Sequence, residues 1–481
     1  MHFISDYLKA LHNKKASATE LATDLLSSIQ KKEPKINALI SINESTTLDH
    51  AKKADEMLAS GKAKTLTGVP IIHKDNLCTV DFPTTAGSKI LENFQSPYNA
   101  FVVQKTYDEG MVCMGKASCD EFAMGSSNEK SYFGKVHNPY ELDHVPGGSS
   151  GGSAASVAAG YAPLSTGSDT GGSVRQPAAF CNLTGLKPTY GGVSRFGLIA
   201  FASSLDQVGP LAHSAEDCAY LMDVISGHDQ RDSTSLTNPK LSYVETINKG
   251  VDVSSLRIGI PKQINDINLD PVVAKVFEDT LKQFEALGAT MVEVDMNLLE
   301  YAVPAYYIIA PAEASSNLAR YNGALYGYRA PGKTLEEMYV NSRTDGFGDE
   351  VKRRILIGTF VLSKGYQGEY YQKAINVKHS FTRQCSQIFD QVDFMITPTT
   401  PRKPFQFNQF KNPVQAYETD ALTIPANLTG LPAVSFPAGF DGPLPIGVQL
   451  IGQHYQDHNL LALVHAYQQN TSWHEQIAEA I

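Results

Sequence analysis

Three side chains set the chemical question: Lys74, Ser149 and Ser173. Ser149 lies inside GGSSGGSAASVAAG (147–160), and Ser173, 24 residues further on, closes GSDTGGS (167–173). A serine hydroxyl is a poor nucleophile until a base takes its proton. Flanking glycines let the backbone turn tightly and let successive N–H groups converge on one point. Lys74 follows the apolar run GVPIIH (68–73), 75 residues before Ser149. Burial in that setting would hold the amine neutral, because desolvation disfavours the ammonium, and a neutral lysine is a base. Two glycine-flanked serines and a lysine at the end of a buried strand therefore suggest chemistry in which lysine, not histidine, is the base.

The Gly/Ser run admits other readings. A tether would join two independently folding units, yet the flanks here are short mixed segments and the chain past 153 is Ala-rich and helix-prone. A phosphate cradle needs a Walker or dinucleotide glycine pattern, and neither is present. Gly147–Gly151 does fit G-x-S-x-G, the nucleophile-elbow pattern, a match any Gly/Ser-rich run produces by chance. Cysteine-nucleophile designs do not fit. Residue 2 is His2, not cysteine, and none of Cys78, Cys113, Cys119, Cys181, Cys218 and Cys385 sits in a glycine-flanked elbow.

The elements that must position these groups follow from local patterning. Ser17 and Glu20 form a capping box ahead of Leu21, Leu25 and Ile29, which predicts a helix over 17–32 ended by Glu33-Pro34. A second helix is expected over about 45–60, stopping at Gly61, and GVPIIH reads as a buried strand feeding Lys74. Strand-like and helical segments then alternate through 102–116 and 153–162, and ordered loops packed on a sheet are expected over 185–211. SLRIGIPK (255–262) and TMVEV (290–294) read as strands around a helix capped by Asp270-Pro271 and closed by Gly288. The polar stretch 231–254 reads as a surface loop, and 300–385 as mainly helical. The alternation predicts an α/β fold with a mixed, mostly buried central sheet flanked by helices on both faces. One domain over 1–481 is expected, with an N-terminal helical segment over about 1–65 and no interdomain linker.

Composition narrows the function classes. With 42% hydrophobic residues in 481, the chain can build a substantial core. Its 40 Lys and Arg against 50 Asp and Glu give a formal net charge of −10, which argues against a large nucleic-acid-binding face, Lys352-Arg353-Arg354 being a local exception. The amphipathic start MHFISDYLKALHNKK is not a signal peptide, and no apolar run is long enough to span a membrane. The six cysteines form no C-x-x-C pair and no zinc spacing. They read as reduced thiols of a cytoplasmic protein without a metal site.

GGSSGGSAASVAAG, followed by GSDTGGSVRQPAAFCNLTGLKPTYGGVSRFG (167–197) and preceded by GVPIIHKDN (68–76), resembles the amidase signature family. The resemblance implies that family's fold and its Ser–cis-Ser–Lys triad, carried here by Ser173 as nucleophile, Ser149 as relay on a cis Gly148–Ser149 peptide, and Lys74 as base. The turn Asp169–Ser173 can supply oxyanion N–H groups from Thr170, Gly171, Gly172 and Ser173, with Asp169 and Arg175 fixing the turn.

Four further stretches are similar to one branch of the family, the glutaminase subunits of tRNA-dependent amidotransferases. They are DEFAMGSSNEKSYFG (120–134), YYIIAPAEASSNLARYNGALYGYR (306–329), EVKRRILIGTFVLS (350–363) and YETDALTIPANLTGLPAVSFPAG (417–439). That similarity implies glutamine as substrate. Arg354 (with Arg353 as rival) would bind its α-carboxylate and Asp420 its α-amino group; Tyr306, Met124 and Ser126 would complete the pocket. It also implies the B and C subunits of a heterotrimer as partners. ATP and Mg would sit on the B subunit, tRNA would be reached only through it, and this chain would carry no cofactor. Ammonia would serve Glu-tRNA(Gln), Asp-tRNA(Asn) or both. A free-standing amidase and a non-catalytic scaffold are the alternatives, and the second would lack one of the three triad residues.

Overall fold

A computed structural model describes residues 1–237, 242–410 and 412–478. Its framework is one mixed sheet of eleven strands. In the N-terminal half these are β1 (Leu39–Ser41), β2 (Pro70–Lys74), β3 (Val112–Ala117), β4 (Leu164–Asp169), β5 (Thr184–Lys187) and β6 (Gln207–Ala212). The rest are β7 (Arg257–Pro261), β8 (Thr290–Val294), β9 (Phe394–Pro398), β10 (Ala433–Asp441) and β11 (Leu444–Gly452). Their spatial order is β1-β3-β2-β4-β6-β5-β10-β11-β9-β7-β8.

β2 lies parallel to both β3 and β4, so it is covered on both edges, and all five of its residues are buried. This explains the unbroken apolar run of GVPIIH: a strand with no solvent face has no reason to alternate. Lys74 is the last residue of β2, and β4 beside it ends at Asp169, where the second serine turn begins. Lys74 and the turn that leads to Ser173 thus emerge at the ends of neighbouring interior strands, where ligands bind in open α/β sheets. The Gly/Ser run is no tether. Gly151–Ala158 is a helix whose eight residues are all buried, and a Cβ on Gly152 would come within 2.4 Å of the Ser118 carbonyl oxygen.

Two local readings change. The helix that opens at Ser17 forms its capping box but runs Ala18–Ile36, past Pro34. Proline in the last turn forfeits one hydrogen bond, while the extra turn buries Ile36 and closes on Asn37 in the left-handed conformation, φ 56°. The stretch 231–254 is not all loop. Tyr243–Lys249 is a short helix with Tyr243 and Ile247 buried one turn apart, and residues 238–241 lie outside the described residues. Between β8 and β9 stand four helices, Ala302–Asn317, Leu335–Gly346, Asp349–Leu362 and Tyr371–Phe389. No described helix is long and apolar enough to cross a membrane.

Candidate active site

Lys74 is completely buried and its Nζ meets three hydroxyls: Ser149 Oγ at 2.8 Å, Ser150 Oγ at 2.9 Å and Ser168 Oγ at 3.0 Å. Burial lowers its pKa to about 8, against the opposing pull of Cys119, Asp120, Asp169 and Asp206. Burial thus favours the neutral amine relative to an exposed lysine. The Gly148–Ser149 peptide is cis. Ser150 and Ser168 did not stand out in the sequence; hydroxyls beside a glycine-rich motif read as turn residues until the fold aims them at one amine. Asn76 Nδ2 also donates to Ser168 Oγ, at 2.9 Å.

Ser173 follows β4 after the turn Asp169–Gly172, and its peptide oxygen accepts from Ser150 N–H at 3.2 Å. Its Oγ makes no hydrogen bond among the described residues, and the residue is 8% exposed. The turn is held from beneath. Arg175 is fully buried and pairs with Asp169 through Nε–Oδ2 and Nη2–Oδ1, each 3.1 Å, while Asn427 Nδ2 donates to Asp169 Oδ1 at 2.8 Å. Burial works to raise the Asp169 carboxyl, but Arg175 outweighs it and holds the pKa at about 2. The remaining Arg175 protons go to the Thr423 carbonyl, Gln449 Oε1 and Asn427 Oδ1, so this buried ion pair is fully hydrogen-bonded.

The oxyanion assignment needs one correction. Gly172 N–H donates to Asp169 Oδ1 at 2.9 Å and is not available to a substrate. The glycine is needed for its φ of +132° and for the close approach of Thr423, whose Oγ1 would lie 2.3 Å from a Cβ there. Gly171 N–H and Ser173 N–H have no partner among the described residues. Thr170 anchors the turn through its hydroxyl, which donates to Asp206 Oδ1 at 2.7 Å.

A cavity of about 270 Å³ is lined by Met124, Ser126, Arg354, Glu350, Tyr417 and neighbouring residues, and the triad does not line it. Arg354 is buried; its Nε donates to Glu350 Oε1 at 2.8 Å, which leaves both Nη groups without a hydrogen-bond partner among the described residues. Arg353, the rival, is an exposed residue paired with Glu350 at the rim. Asp420 accepts from Ser126 Oγ at 2.7 Å and from Tyr307 Oη at 3.1 Å. Burial pushes its pKa up to about 6, countered by those hydrogen bonds and by Arg354. Tyr306 packs on the oxyanion turn, where a Cβ on Gly171 would sit 2.7 Å from its ring.

Sequence reasoning chose Tyr306 and missed its neighbour Tyr307, which bonds Asp420, stacks on Tyr417 at 3.8 Å between ring centroids and faces Arg354 at 5.3 Å. Glu350 was also missed. Among the described residues no three His, Cys, Asp or Glu side chains converge to hold a metal ion.

The amidase family model matches residues 20–461. The chain belongs to the amidase family. This amidase is 52% identical to the A subunit of glutamyl-tRNA(Gln) amidotransferase from Acinetobacter baumannii, over 98% of this chain and 96% of that protein. The crystal structure of the protein of the same name from Thermotoga maritima superposes with a TM-score of 0.80 at 40% identity, covering 98% of this chain and 94% of that one. The native peptide amidase of Stenotrophomonas maltophilia gives a TM-score of 0.83 at 26% identity, over 98% and 96% of the two chains.

Proposed function

We propose that this amidase is the glutaminase subunit of a tRNA-dependent amidotransferase. The observation that carries this reading is a buried, partly unpaired guanidinium, Arg354, joined to a buried carboxylate, Asp420, through Tyr307, whose hydroxyl bonds Asp420 and whose ring faces Arg354 at 5.3 Å. This is the pair an α-amino acid requires, and a relative at 52% identity bears the corresponding name.

In this reading neutral Lys74 draws a proton from Ser149, which draws one from Ser173. Ser173 Oγ attacks the γ-carboxamide carbon of glutamine, and Gly171 N–H and Ser173 N–H stabilise the oxyanion. As the tetrahedral adduct collapses, the C–N bond breaks, and Ser149 returns a proton to the leaving nitrogen, which departs as ammonia. Water, deprotonated by the same relay, then cleaves the glutamyl ester. Arg354 holds the α-carboxylate and Asp420 the α-ammonium, with Tyr306, Ser126 and Met124 around them.

Ammonia passes to the partner B subunit, which carries ATP and Mg and amidates the mischarged tRNA; the C subunit completes a cytoplasmic complex. Whether Glu-tRNA(Gln) or Asp-tRNA(Asn) is served is a property of the tRNA-binding partner.

Purified with its partners, the chain is expected to release ammonia from glutamine faster when ATP and mischarged tRNA are added. Hydrolysis of simple aliphatic amides without glutaminase activity would favour a free-standing amidase instead. Arg354→Ala is expected to raise the KM for glutamine by about 10- to 100-fold, the scale of ~1.5–3 kcal/mol for a charged hydrogen bond. Its kcat should change far less, and an unchanged KM would transfer the role to Arg353.

A further inference from the structure

Gln176 lies three residues after Ser173, buried at the start of the helix Arg175–Phe180. Both ends of its amide are used. Oε1 accepts from Gly148 N–H at 2.8 Å, and Nε2 donates to the Ser126 carbonyl at 2.7 Å. The partners fix the orientation, since the Gly148 N–H can only donate and the Ser126 carbonyl can only accept. The approach is close: a Cβ on Gly147 would fall 2.7 Å from Gln176 Oε1. Ser126, in turn, is the residue whose hydroxyl holds Asp420. A single side chain therefore links the loop of the relay serine to the loop that touches the amine-reading carboxylate.

We propose that Gln176 is a positioning residue that couples occupancy of the Asp420 site to the placement of Ser149, so that acylation is fast only for amides bearing an α-ammonium. The inference rests on the glutaminase reading above and extends it to specificity. An ammonium beside Asp420 joins that carboxylate and the Ser126 hydroxyl in one hydrogen-bonded group, which fixes the Ser126 backbone. Gln176 carries the constraint to Gly148, one residue before the relay. Asp120 also ties the two loops, accepting from Asn128 N–H at 2.9 Å and donating its own N–H to the Ser149 carbonyl at 3.3 Å. It makes no hydrogen bond to Ser126 or Asp420, whereas Gln176 bonds the Ser126 carbonyl directly.

The test compares glutamine with 4-carbamoylbutanoate, which is glutamine without its α-amino group, by ammonia release from the full chain purified with its partners. Wild type is expected to show a higher kcat for glutamine. Gln176→Met, which keeps the bulk and removes both hydrogen bonds, is expected to lower kcat for glutamine about tenfold or more, with KM changed less than about threefold. Its kcat for 4-carbamoylbutanoate should stay near the wild-type value, so the preference collapses. Equal losses on both substrates would mean a merely structural role and overturn the proposal.

Gln176→Glu gives an independent reading should the first variant fold poorly. Its carboxyl can donate to the Ser126 carbonyl only when protonated, and burial raises the pKa of such a group. The ratio of the two rates cancels the titration of Lys74, and dividing it by the wild-type ratio at the same pH removes that of Asp420; the quotient is expected to recover toward one as pH falls, and a pH-independent quotient overturns the coupling. A wild-type chain that, purified with its partners, hydrolyses neither amide overturns the glutaminase reading itself. A wild-type preference that survives in both variants overturns only the assignment to Gln176.

Discussion

Ser173→Ala is expected to reduce glutamine hydrolysis by about a million-fold, the scale seen when a serine nucleophile is removed from a hydrolase. The fold should not notice. Ser173 Oγ has no hydrogen-bond partner among the described residues, so no buried donor or acceptor is orphaned by its loss. Ammonia release and a thermal melt on the same preparation check both halves. A variant that melts with the wild type and keeps more than about a thousandth of its activity would remove Ser173 from the nucleophile's role, since oxyanion donors and binding alone leave only ~10³–10⁴-fold over water.

Lys74→Met is expected to cost at least the ~10²–10⁴-fold of a general base, and the pH behaviour of the parent should identify the group lost. With its pKa lowered to about 8, Lys74 is mostly ammonium at neutral pH. The wild-type kcat/KM for glutamine should therefore climb with pH and level off above about 8.

Stability should carry the same signature. The folded pKa lies below the unfolded value of 10.5. Between about 8 and 10.5 the unfolded chain binds the extra proton at this lysine, and the Lys74 contribution to stability rises with pH across that window. The methionine variant should lack that part of the slope, because it has no amine to titrate. Residual activity in Lys74→Met that still follows an apparent pKa near 8 would show that another group is the base. Denaturant midpoints at pH 7.5 and 10 test the stability half.

Some of this site was legible because its signals are local. A strand buried on both edges must be apolar throughout, so GVPIIH announced its place in the sheet and the desolvation of Lys74. Glycines around Ser149 and Ser173 announced tight backbone, and the structure uses them for close packing and for the positive φ of Gly172. Pro34 misled for an equally local reason: proline was read as a stop, whereas burial of Ile36 outweighed one lost hydrogen bond.

What stayed hidden involves partners far apart in the chain. Nothing in the glycine-rich turn tells that Gly172 N–H folds back onto Asp169, leaving the N–H groups of Thr170, Gly171 and Ser173 without partners among the described residues. Tyr306 and Tyr307 are adjacent in a helix, and helical geometry sends them in different directions. Which one meets Asp420 depends on how that helix sits against residues 417–420.

The sequence by itself determined the candidate reactive groups, the buried strand that holds the lysine and the family to which the chain belongs. Only the tertiary structure decided which hydroxyls reach Lys74, which N–H groups remain free, that Arg354 rather than Arg353 is buried, and that Gln176 spans two loops. Residue type and short spacing govern backbone conformation and burial. Hydrogen bonds across 28, 50 or 294 positions exist only once the sheet has brought its strand ends together.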